Sequence, residues 1–139
     1  MQVDISADDP PVSFTVCATS RFYYRDERVV FDQPVFNDEQ HFNTSTNEFV
    51  CPASGTYLLH AFFRSSSGLS FAANVVRNDT VAMSTYSYFN DHNGSNMAIV
   101  ECSEDEAIWV QTTDNGFMAG DIDGQHSCLS ALLLQPTVY

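Results

Sequence analysis

The chain has 139 residues, 44% of them hydrophobic and 13% aromatic, which favours one domain with a packed core and argues against disorder. Its formal net charge is −13, carried with five Arg and no Lys, so it lacks the clustered positive charge that nucleic acid or an anionic membrane requires of a partner. No apolar run reaches the roughly 20 residues of a membrane-spanning helix, and the opening MQVDISADDPPV has neither the basic nor the apolar region of a signal peptide.

Residues 1–11 are acidic and proline-ended and read as a flexible lead-in, leaving 12–139 as the folded domain. From Val12 the pattern alternates, with Val12, Phe14, Val16 and Ala18 on one face and Ser13, Thr15 and Cys17 on the other, which predicts a half-buried strand. Arg21 to Arg28 reads as a charged turn, Val29 to Phe31 as a short strand, and Asp32 to Asn47 as a loop with anchoring aromatics. Glu48 to Cys51 is a strand that stops at Pro52; Thr56 to Arg64 is another, with Tyr57, Leu59, Ala61 and Phe63 on one face. Leu69 to Arg77 and Thr80 to Phe89 form a hairpin around Asn78-Asp79, residue types that tolerate the positive φ of a tight turn. Met97 to Cys102, Ala107 to Thr113 around Trp109, and His126 to Leu134 complete the strands. Between the last two, Asp114 to Gln125 reads as a Gly/Asp loop. Nine or ten short strands, turn signals about every ten residues and no 3.6-residue stripe predict an all-β sandwich or jelly roll.

Cys17, Cys51, Cys102 and Cys128 contain no C-x-x-C spacing, which disfavours a zinc ribbon or redox motif and leaves disulfides or buried thiols. The triplets starting at Asn43, Asn78 and Asn93 are N-glycosylation acceptors in polar, turn-like stretches. Together with the absence of Lys they point to a secreted protein. Gly-x-Ser-x-Gly, His-Glu-x-x-His and phosphate-binding glycine loops are absent, and His41, His60, His92 and His126 are scattered, so the chain is not expected to be an enzyme.

Phe31, Asn37, Phe42, Phe49, Gly55 and Tyr57 stand at the spacing of the signature of the complement C1q globular-head family, which this stretch resembles. The two following signature positions, usually aromatic, are Leu59 and Ala61, with Phe62 and Phe63 next to them. Val12 to Ala18 is similar to the family's opening strand, Val75 to Asp79 to its hairpin, and Ser127 to Leu134 to its closing strand, so the resemblance covers about residues 12–136. It implies a ten-stranded jelly roll assembling as a homotrimer, as in the tumour necrosis factor family. It also implies that the first and last strands lie side by side, bringing Cys17 near Cys128. Cys51 and Cys102 face inward by strand alternation, and their pairing follows as an expectation.

Two groups are candidate sites. Arg21, Arg25 and Arg28 with Tyr23 and Tyr24 form the one basic cluster, suited to sulfate, phosphate or sugar acids through forked hydrogen bonds and stacking; the plainer reading is salt bridging to an acidic surface. Asp121 and Asp123, set between Gly120 and Gly124, offer oxygens to calcium, against the alternative of a solvated loop. Trp109 reads as core in preference to a sugar platform. The expected function is a secreted, non-enzymatic module of innate-immune type that binds glycans or microbial surface polymers. The alternatives are an acidic calcium- or mineral-binding matrix protein and a ligand for a protein receptor.

Overall fold

A computed structural model describes residues 12–66, 68–88, 93–120 and 127–137. Among them there is no helix, and twelve strands follow in order: β1 (Ser13–Cys17), β2 (Arg21–Tyr23), β3 (Gln33–Phe36), β4 (Phe42–Asn43), β5 (Glu48–Val50), β6 (Gly55–Ser65), β7 (Phe71–Arg77), β8 (Thr80–Ser87), β9 (Asn93–Cys102), β10 (Ala107–Thr112), β11 (Gly116–Ala119) and β12 (Cys128–Pro136). They form two antiparallel sheets. The first, of seven strands, is built around β6: β9 pairs along one side, while β12 and then β11 pair along the other. β1 and β3 extend this sheet beyond β12, and β2 extends it beyond β11. The second, of five strands, has the order β4-β5-β10-β7-β8. The jelly-roll sandwich expected from the sequence is therefore present, with the opening and closing strands side by side.

The aromatic spacing that carries the resemblance has a packing cause. Phe31, Phe42, Phe49 and Tyr57 are all buried between the sheets. Phe14 meets Phe42 at 5.4 Å and Phe49 at 5.0 Å, Phe31 meets Phe42 at 5.6 Å, and Phe49 meets Tyr57 at 5.6 Å between ring centroids. These distances are those of attractive tilted and edge-to-face pairs. The Asn37 amide donates to the Phe42 carbonyl at 2.9 Å and accepts the Phe42 N–H at 3.2 Å, clamping the backbone that aims Phe42 inward. Gly55 opens β6 against the end of β12, where a Cβ would lie 2.4 Å from the Gln135 carbonyl oxygen.

Both expected cysteine pairs are disulfides: Cys17–Cys128, with Cα atoms 4.0 Å apart, and Cys51–Cys102, with Cα atoms 6.4 Å apart. The first joins residues directly opposite on β1 and β12. The second joins the residue after β5 to the end of β9 and so ties one sheet to the other.

Four local expectations are corrected. Arg21–Tyr23, Gln33–Phe36 with Phe42–Asn43, and Gly116–Ala119 are strands where turn or loop was expected. Val29–Phe31 is not a strand. Its N–H groups are taken one by one: Val29 donates to the Val110 carbonyl at 2.8 Å, Val30 to the Tyr23 hydroxyl at 3.0 Å, and Phe31 to Asn47 Oδ1 at 3.0 Å. One backbone carbonyl and two side chains take the place of a continuous ladder, which satisfies the donors just as well. The lead-in over residues 1–11 lies outside the described residues.

Burial raises the pKa of the Tyr23 and Tyr57 phenols above their ordinary value of 10.0. A raised phenol means that the folded state holds its proton longer than the unfolded chain. The associated stability is intact below pH 10 and is lost as pH rises through the folded values. The chain has no Lys and no free Cys to add to these two phenols. Urea midpoints are expected to stay level up to about pH 10 and fall above it, and the Tyr23→Phe/Tyr57→Phe variant to lose most of that fall.

Candidate functional site

The expected basic cluster is spread over three places. Tyr23 points inward from β2; it is buried, packs on Phe71 at 6.0 Å, and accepts the Val30 N–H. Tyr23 is therefore a core side chain and offers no ring to a surface ligand. Arg21 lies with its guanidinium carbon 5.8 Å from the Tyr23 ring centroid. Tyr24 faces solvent and packs edge-on against Phe22 at 5.0 Å. The Arg25 N–H donates to Asn115 Oδ1 at 2.8 Å, while its side chain lies 3.9 Å from the Asp26 carboxylate, an exposed pair of small energetic weight. Arg28 crosses to the second sheet. There it donates to the Thr46 carbonyl at 3.1 Å, pairs with Glu48 at 3.3 Å and stacks 4.7 Å from the Trp109 ring centroid. Three arginines spaced as one patch in the chain thus serve three different surfaces.

Asp121 and Asp123 lie outside the described residues. Among the described residues no group of three or more His, Cys, Asp or Glu gathers as a metal centre. The acidic run Glu104–Glu106 is a turn tied to the core. The Asp105 N–H donates to the Cys51 carbonyl at 2.9 Å, and the Glu106 carboxylate accepts the Ser103 N–H at 2.7 Å.

The outward face of the first sheet carries several large exposed apolar side chains, among them Met97, Ile99 and Leu132. Along β6 the residues Tyr57, Leu59, Ala61 and Phe63 fill the core, and strand alternation turns Leu58, His60 and Phe62 the other way. Leu58 stands opposite Ile99 of β9 on one side and Leu132 of β12 on the other. His60 stands opposite Met97 and Ser130. Ile99 is 67% exposed and Met97 60%, a level unusual for contiguous large apolar side chains on a lone soluble domain. The sequence carried this signal: apart from His60, Tyr57 to Phe63 is apolar at odd and even positions alike, where a strand with one solvated face alternates.

Trp109 is not in the core. Ile108 and Val110 point inward from β10, which sends Trp109 to the outward face of the second sheet, half-buried under Arg28.

The model of the C1q domain family matches residues 13–134. The chain is 26% identical over 135 residues to the mouse collagen alpha-1(X) chain, covering 91% of this chain and 19% of that protein. It spans half or less of the length of the curated relatives it matches. Among solved structures, the globular domain of zebrafish complement 1qA superposes with a TM-score of 0.68 at 15% identity, covering 93% of this chain and all of that one. The Eiger TNF of S. frugiperda superposes with a TM-score of 0.74 at 10% identity, covering 94% and 97%. At these identities the structures establish the jelly roll alone.

Proposed function

Since the chain belongs to the C1q domain family, whose domains are non-enzymatic ligand-binding modules, we propose that it is a secreted recognition module that works as a homotrimer and binds glycans or microbial surface polymers. The observation that carries this reading is the row Ile99, Leu58 and Leu132 across three adjacent strands, with Met97 beside it. A closed threefold assembly covers such a face on every copy at once. It also sets three identical sites side by side, so weak contacts to a repetitive polymer add through effective concentration. Among the described residues no helix is long and apolar enough to cross a membrane.

Ile99 is exposed in the protomer, so Ile99→Asp leaves the core untouched while placing a charge in the proposed contact. The native chain is expected to sediment as three copies and Ile99→Asp as one, with the same circular dichroism. Binding to a glycan and bacterial polysaccharide panel, in calcium and again in EDTA, is expected for the trimer and to fall by at least tenfold for the monomeric variant. A native chain that sediments as a monomer, or a trimer that binds nothing on the panel, sinks the reading. Loss of binding in EDTA would make it calcium-dependent, and Asp121→Ala/Asp123→Ala would then test whether these two carboxylates hold the ion.

A further inference from the structure

The outward face of the second sheet holds a hollow of about 210 Å³, floored by Trp109 and Val76 and bounded by Asn74, Gln111, Asp26 and Asp79. The floor and two of the walls are fixed by strand register, because Trp109 stands opposite Val76 and Gln111 opposite Asn74 on paired β10 and β7. Hydrogen bonds then orient both amides. The Trp109 indole N–H donates to Gln111 Oε1 at 3.3 Å, and the Ser84 hydroxyl donates to Asn74 Oδ1 at 2.7 Å. With both oxygens occupied, the two amide NH₂ groups are left as donors at the hollow, without a partner among the described residues. Asp26 and Asp79 sit in turns at φ of 63° and 70°, and they supply carboxylate acceptors. Arg25 lies 3.9 Å from Asp26 in an exposed pair, and Arg28 is directed to Glu48 and to the indole, which leaves Asp79 as the carboxylate without a cation among the described residues.

We propose that this hollow is a subsite for one neutral pyranose unit of a glycan. The inference rests on the recognition-module reading and assigns it a place. A pyranose has an apolar C–H face and a rim of hydroxyls that each donate and accept. Indole, paired amide donors and paired carboxylate acceptors match all three features. The volume admits a single ring. Asp79, which has no cation partner among the described residues, repels sugar acids, so this surface selects against the polyanions that the arginine cluster in the sequence suggested.

Trp109 is the only tryptophan of the chain, so its fluorescence reports this hollow alone. The experiment titrates the 139-residue chain, made without N-glycans because Asn78 adjoins Asp79, with the methyl glycosides of glucose, mannose, galactose, N-acetylglucosamine and glucuronic acid. A saturable fluorescence change is expected with at least one neutral glycoside and none with the glucuronide. Asn74→Ala/Gln111→Ala is expected to weaken binding about tenfold at unchanged circular dichroism, the loss of one or two net hydrogen bonds. Asp79→Asn, a residue that tolerates the same φ, is expected to admit the glucuronide. No response to any neutral glycoside, an equal response to the glucuronide, or undiminished binding by the double variant overturns the subsite. If the native trimer binds the glycan panel and the double variant binds it as well, the subsite fails while the recognition reading stands. If the native trimer binds nothing on the panel, both fail.

Discussion

Replacing Cys17 and Cys128 together by Ala is expected to lower the unfolding free energy by about 4–5 kcal/mol, and replacing Cys51 and Cys102 by about 4 kcal/mol. The two bridges close loops of 111 and 51 residues, and the entropy removed from the unfolded chain grows with the logarithm of loop length. The expected ranking is therefore narrow, and native geometry decides how far each bridge follows it. Cys17–Cys128 joins strands that already pair in register, so its loss leaves β1 and β12 held by their ladder. Cys51–Cys102 crosses between the sheets at a point where Cys51 also pairs with the acidic turn, its N–H on the Glu106 carbonyl at 2.8 Å. Its removal loosens that corner as well as lengthening the free chain. A domain of this size holds about 5–15 kcal/mol in total, so the variant lacking both bridges is expected to be largely unfolded at room temperature. Urea unfolding of the two double variants and of the reduced native chain checks this. Midpoints unchanged on reduction would rule out a stabilising role for both bridges.

The long strands were legible in the sequence because each of them has one face on the core. β1 and β6 read correctly from alternation, β7, β8 and β10 were placed between their turns, β9 was read from Met97, four residues after its start, and the aromatic spacing from Phe31 to Tyr57 located the family and the packed centre. The short strands were not legible for physical reasons. β3 contains Pro34, which an edge strand tolerates because one side of it has no ladder to complete. β11 is four residues in a Gly- and Asp-rich stretch, and its strand character comes from pairing with β2 and β6, elements distant in the chain. The candidate sites fared less evenly. Arg21 to Arg28 is compact in sequence, yet a strand end, a turn at Asp26 and a crossing to the second sheet separate its side chains. Tyr23 is flanked by two other aromatics, and nothing local says which of the three turns inward. Trp109 was within reach of the sequence, since Ile108 and Val110 on either side of it claim the core by parity. The hollow beside it was not, because Asn74 and Gln111 meet only through the register of β7 and β10.

Gly94→Ala is expected to destabilise the chain by about 3 kcal/mol or more, the largest effect we assign to one methyl group. A Cβ at Gly94 would lie 2.2 Å from the Tyr86 carbonyl oxygen and 2.6 Å from its carbon. Both are backbone atoms, which no rotamer change can move aside. The crowding marks the corner where β9 of the first sheet passes β8 of the second. There Ser87 sends its hydroxyl to the Phe63 carbonyl at 2.7 Å, and Asn96 sends its amide to the Ser84 carbonyl at 3.0 Å. Side-chain bonds close the sandwich where the two sheets share no ladder, and they require β8 and β9 to touch. Gly94 is opposite Phe63, so pushing β9 outward also lifts it from β6 over the buried Phe63–Phe71 pair. Gly68 supplies the contrast: no atom lies within 4 Å of where its Cβ would be, but its φ is 71°. Gly68→Ala should therefore lose only the backbone term, about 1–2 kcal/mol. Paired urea titrations of the two variants separate the steric cause from the conformational one. A Gly94→Ala loss no greater than that of Gly68→Ala would show that the corner opens easily, and that β8 and β9 are held by something other than close approach.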